Sequence, residues 1–136
     1  MLHRNKLDSY FNKRPYRGIG GKAEQGEDPT DCVIREVKEE AGIEINPIWK
    51  GLVTISSHGK NDWEVHIFEA KGFSGEVLNE CSEGDLCWID ESELINLNMP
   101  EGDKKLTPYI LQNSKFHAYL KYDENKDLVD WRIDRL

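Results

Sequence analysis

Residues 20–43, GGKAEQGEDPTDCVIREVKEEAGI, decide the reading of this chain. Five residues separate Gly21 from Glu27, and seven separate Glu27 from Arg35. The second half predicts a helix. Asp28 is a good N-cap, Pro29 suits the first helical position, and Asp31 falls in the first turn. Val33, Val37 and Ala41 recur at four-residue spacing as a buried stripe, and Gly42 suits a left-handed C-terminal cap. A helical residue advances about 100 degrees, which places Glu36 and Glu40 about 40 degrees apart, with Glu39 about 60 degrees to the other side. Three carboxylates thus share one face. Alone, EVKEE reads as a solvated helical face, and like charges at this spacing weaken a helix slightly. Hard divalent cations such as Mg²⁺ or Mn²⁺ take oxygen ligands and relieve such repulsion.

The bulk properties set the frame. The chain has 136 residues, enough for one domain spanning 1–136 with a real core. Eighteen basic residues against 26 acidic ones leave a net charge of -8, which argues against binding a nucleic-acid polymer. No apolar run approaches a membrane span and no signal-peptide pattern precedes MLHRNK, so no membrane partner is expected. Cys32, Cys81 and Cys87 form no paired framework and read as free thiols in a cytoplasmic protein.

Outward from the central stretch, Met1–Lys6 reads as the tail of a strand, and Leu7–Arg17 as a loop stiffened by Pro15. Downstream, Ile48–Ser56, Trp63–Glu69 and Leu86–Ile89 read as strands, and Glu91–Leu97 and Lys104–Gln112 as helices. KFHAYLKY and LVDWRI flank DENKD as a hairpin, with Phe116, Ala118, Leu120 and Tyr122 on one side. Strands mixed with packed helices indicate an α/β or α+β fold.

Gly21, Glu27, Arg35, Glu36, Val37, Glu39, Glu40, Gly42 and Ile43 match the Nudix box at all nine specified positions, and the chain therefore resembles a Nudix hydrolase. The resemblance implies an α/β fold, a Nudix-type α/β/α sandwich with a mixed sheet, and metal-dependent hydrolysis of nucleoside diphosphate derivatives. It assigns Glu36 and Glu40 as the main metal ligands, Glu39 as a further ligand or the general base, and the Gly20 carbonyl as another ligand. Glu27 and Arg35 form an orienting pair, and Lys22 touches phosphate.

Beyond the box, HRNK, GIGGK, Glu83 five residues before Trp88, EGD at 101–103 and KFHAYLKY are similar to the MutT-type branch, which degrades oxidised purine nucleotides such as 8-oxo-dGTP. On that likeness Glu83 joins the metal ligands, and Arg4, Tyr16, Arg17, Asp103 and Trp131 line the purine pocket. Some purine-sanitising members carry an asparagine where this chain has Arg17. The family's usual full strand and turn before MLHRNK are missing here, which predicts an exposed neighbouring edge and either reduced stability or a homodimer through that edge.

Overall fold

The computed structural model describes residues 2–4, 16–78, 80–81 and 84–136; of residues 2–4, 16–17 and 80–81 it gives the backbone alone. Its contacts gather the chain into two compact units. The first holds residues 1–48 and 69–98, and the second holds 49–68 and 99–136.

In the first unit a four-stranded antiparallel sheet runs in the order β2-β1-β6-β5. Its strands are β1 (Leu2–Arg4), β2 (Tyr16–Arg17), β5 (Glu80–Cys81) and β6 (Gly84–Leu86). Leu2 faces Arg17 on one side and Leu86 on the other. Leu2 and His3 are thus paired on both sides. Tyr16 and Arg17 belong to a strand rather than to the end of a loop, because their backbone completes this ladder. The remainder of the expected loop, residues 5–15, lies outside the described residues.

Helix α1 (Pro29–Ala41) forms as its local signals dictate. The Asp28 carboxylate accepts from the Asp31 N–H at 2.8 Å, Pro29 opens the first turn, and Gly42 closes the helix at φ 75°. Val37, Ala41 and Ile43 are buried, with Ile19, Val33, Ile45, Val77 and Leu86 packed against them. That apolar stripe leaves the glutamate face of the helix free for chemistry. At the C-terminal end, Leu78 donates its N–H to the Ala41 carbonyl, and its side chain sits where a Cβ on Gly42 would fall. A 3-10 helix at Glu91–Asn96 begins on Asp90, whose carboxylate caps the Ser92 N–H. This is shorter and tighter than the helix expected over Glu91–Leu97.

The other sheet is mixed, in the order β4-β3-β7-β8. It comprises β3 (Glu44–Ser57), β4 (Trp63–Ser74), β7 (Phe116–Tyr122) and β8 (Leu128–Arg135). β3 and β4 run well beyond the expected Ile48–Ser56 and Trp63–Glu69, since ladder pairing carries them through polar residues that propensity would exclude. In the second unit β3 pairs parallel with β7, from Gly51 opposite Phe116 to Ser57 opposite Tyr122. Gly51 is required there. A Cβ would stand 2.7 Å from the Phe116 carbonyl and 2.8 Å from its ring.

β7 and β8 form the expected hairpin, antiparallel, with an irregularity between Lys121 and Tyr122. Phe116, Ala118, Leu120 and Tyr122 are all buried, as the alternation predicts. Helix α2 (Glu101–Ile110) starts three residues earlier than the expected Lys104. Glu101 and Asp103 suit the positive end of a helix, and Gly102 lies against Tyr122, whose hydroxyl accepts its N–H at 3.0 Å. A Cβ on Gly102 would collide with that hydroxyl, which explains a glycine inside a helix.

Candidate active site

The site is built on α1 and on the segment 20–27 that precedes it. Arg35 is its organiser. Its Nε donates to Glu27 Oε2 at 2.8 Å and its Nη2 to Glu27 Oε1 at 2.9 Å, a two-bond fork whose planar geometry suits a carboxylate. The Glu27 carboxylate also accepts the Glu24 backbone N–H at 3.0 Å, while the Glu27 N–H returns to the Glu24 carbonyl. The Arg35 hydrogen bond first, and the Glu24 N–H second, hold the Glu27 carboxyl down at about 2. Glu27 in turn, with Glu39 and Glu36, pushes Arg35 further above its already high range.

The same guanidinium reaches forward to the metal-ligand candidates. Nη1 donates to Glu36 Oε1 at 3.0 Å and to Glu39 at 3.2 and 3.3 Å. Nη2 also donates to the Lys22 carbonyl at 3.2 Å. Arg35 therefore gathers Glu27, Glu36 and Glu39 and fastens the 20–22 segment to the helix. Sequence reasoning assigned it only the Glu27 partnership. The spacing from Arg35 to Glu39, one helical turn, carried the signal for the further contact. Glu36 and Glu39 share the Arg35 Nη1 donor. They grade outward from the core: Glu40 is 9% exposed, the Glu36 side chain 15% and the Glu39 side chain 57%.

Gly21 earns its place by the absence of a side chain. A Cβ there would overlap the Glu36 carboxylate, with Oε2 at 2.7 Å. Cys32, at an unspecified box position, sits under the same segment and lies 3.7 Å from the Gly21 carbonyl as a thiol donor. Burial, and then the Glu27 charge, raise this thiol above its ordinary range, which makes it an inert packing group. Cys32 and Cys87 are both free.

Carboxylates and carbonyls are the donor types a hard divalent ion takes, but among the described residues no three acidic, histidine or cysteine side chains are already gathered closely enough to hold one. Glu36, Glu39 and Glu40 offer carboxylate oxygens on one face, and Gly20 offers a carbonyl on the adjoining segment. Glu40 is the buried member of the three. The Lys22 backbone joins this site through its carbonyl. Asp103 and Trp131 belong to the second unit, Asp103 in the first turn of α2 and Trp131 on β8 with the Lys105 ammonium 4.4 Å over its ring. Glu83 and the side chains of Arg4, Tyr16 and Arg17 lie outside the described residues.

This arrangement, a box helix with an arginine-clamped set of glutamates, is that of a Nudix domain, and the comparisons agree. The family model for the NUDIX domain matches residues 1–110. An uncharacterised Nudix hydrolase of Bacillus subtilis is 34% identical over 132 residues, covering 90% of this chain and 84% of that protein. An oxidised purine nucleoside triphosphate hydrolase of Danio rerio is 28% identical over 128 residues, covering 93% of this chain and 81% of that one. Among solved structures, the MutT protein of Bacillus halodurans superposes with a TM-score of 0.80 at 32% identity, over 86% of this chain and 80% of that one.

The chain belongs to the Nudix hydrolase family and has its α/β fold. It is a MutT-like pyrophosphohydrolase of small-molecule nucleotides, in a family that generally uses a divalent metal. No helix among the described residues is long and apolar enough to cross a membrane.

Proposed function

We propose that this enzyme hydrolyses oxidised purine nucleoside triphosphates such as 8-oxo-dGTP to the monophosphate and pyrophosphate, in the cytoplasm. The observation that carries the reading is the Arg35 fork, which ties Glu27, Glu36 and Glu39 into one constellation on a fully matched box. The purine preference draws support from the Danio rerio relative, whose name gives that substrate class.

Glu36, Glu40, Glu39 and the Gly20 carbonyl, joined by Glu83, are the groups that would hold Mg²⁺ or Mn²⁺. A divalent ion held there would supply neutralisation of phosphate charge and acidification of a water. The protein's own residues do the rest. Glu39, the most exposed of the three helix carboxylates, takes the proton from the attacking water. Arg35 fixes the orientation of Glu36 and Glu39 before substrate arrives, so that little reorganisation is needed during reaction. On the family resemblance, Lys22 contacts phosphate, and Arg4, Tyr16 and Arg17 contact the nucleoside.

The test is a panel of 8-oxo-dGTP, dGTP, ADP-ribose and a nucleotide sugar, each with Mg²⁺ and with product analysis. The proposal expects 8-oxo-dGTP to give the highest kcat/KM and to release pyrophosphate. A faster rate on ADP-ribose or the sugar would move the enzyme to another nucleoside diphosphate derivative. No monophosphate from any compound, with the protein folded, would reject catalysis and leave a nucleotide-binding module.

A further inference from the structure

The mixed sheet ends on β8, and among the described residues no strand lies beyond it. β8 is exposed along most of its length, with Val129 50% and Trp131 45% accessible. An edge of this kind presents a row of backbone donors and acceptors to any strand that approaches. Its side chains divide by face. Asp130 and Arg132 stand opposite Lys121 and Tyr119 of β7, whereas Trp131 and Ile133 stand opposite Leu120 and Ala118 on the buried side.

Charges on an edge strand usually keep other strands away. Here their order does the reverse for one partner, a second copy of this chain. We propose that β8 pairs antiparallel with β8 of a second copy about a two-fold axis at Trp131. In that register Asp130 faces Arg132 of the second copy, and Arg132 faces Asp130 of the second copy. Trp131 meets its own counterpart. Opposite-charge and apolar cross-strand pairs both stabilise a sheet, and aromatic pairs add to this. A two-fold contact requires this self-complementarity.

Neighbouring registers are worse. An axis at Arg132 places Asp130 against Asp134 and Arg132 against itself. An axis at Asp130 places that carboxylate against its own copy. An axis at Ile133 keeps an Arg132–Asp134 pair but sets Trp131 against Arg135 and omits Asp130. Within one chain Arg132 bonds the exposed Asp134 at 2.9 Å, so the arginine already lies on the charged face of the strand. β8 carries none of the box residues.

Sedimentation velocity over a concentration series tests it. The wild type is expected to show a reversible monomer–dimer equilibrium. Asp130→Arg and Arg132→Asp each place like charges face to face twice and should weaken the dimer by about tenfold or more. Mixed in equal amounts, the two variants face arginine with aspartate at both positions, and the dimer should return. Both sites are exposed, and circular dichroism should show both variants folded as wild type. A wild type that stays monomeric up to its solubility limit would overturn the proposal. So would undiminished dimerisation of Asp130→Arg, which would point to another register or surface, or a mixture that remains monomeric.

Discussion

Replacing Gly21 by alanine is a single-methyl probe of the whole site. The added Cβ would occupy the space of the Glu36 carboxylate. The obstructing atoms are the far end of a flexible side chain rather than backbone, so Glu36 can swing aside. Stability should then fall by less than about 1.5 kcal/mol, toward the low end of overpacking costs. Activity has no such escape. Once displaced, Glu36 loses its 3.0 Å bond to Arg35 Nη1 and leaves the face it shares with Glu40. A misplacement of about 1 Å in a positioned group costs about a hundredfold in rate, equal to ~2.7 kcal/mol of barrier. Gly18→Ala serves as the control, because a Cβ there meets nothing within 4 Å. The assay is kcat for pyrophosphate release with Mg²⁺, beside thermal unfolding of both variants. Gly21→Ala turnover within about threefold of wild type, ~0.7 kcal/mol by the same conversion, would refute the claim that Glu36 must stay where it is.

Two further outcomes are expected. Tyr122→Phe removes the hydroxyl that accepts the buried Gly102 N–H, and should cost about 1–3 kcal/mol in chemical denaturation with the m-value unchanged; no loss would mean that the α2–β7 junction does not depend on this bond. The Glu27 carboxyl sits lower in the folded protein, at about 2, than its ordinary value of 4.5. Its contribution to stability is therefore present in full above pH about 4.5 and drains away as pH falls toward 2. Glu27→Gln should flatten that acid-side slope in stability measured against pH, and an unchanged slope would place the titration elsewhere.

How much of this was legible in the sequence differs by element. Helix α1 was fully readable, because its cap, first turn, apolar stripe and terminal glycine are all local. The hairpin Phe116–Tyr122 with Leu128–Arg135 was readable too, since its alternation is clean and its turn short. The lengths of β3 and β4 were not, because both strands run on through residues such as Asn46, Pro47, Lys71 and Gly72 that strand propensity disfavours. Nor was the parallel union of β3 with β7, which joins Gly51 to Phe116 across the intervening chain. The start of α2 was misplaced because PEGD looks like a turn until Tyr122 is seen holding Gly102. In the site, the residue types and spacings nominated the carboxylates of α1. They did not announce that Arg35 would hold three of them at once, or that Gly21 marks the space of the Glu36 carboxylate.

The central claim is that the glutamates of α1 hold the catalytic metal, and Glu40 is its most direct test. Glu40→Gln keeps size and shape while removing one charge from the buried end of the cluster. With Mg²⁺ and 8-oxo-dGTP, turnover should fall by about two to three orders of magnitude. Mn²⁺ binding followed by calorimetry should weaken, and circular dichroism should stay that of the wild type. Turnover and Mn²⁺ affinity both unchanged in a folded Glu40→Gln protein would contradict the account.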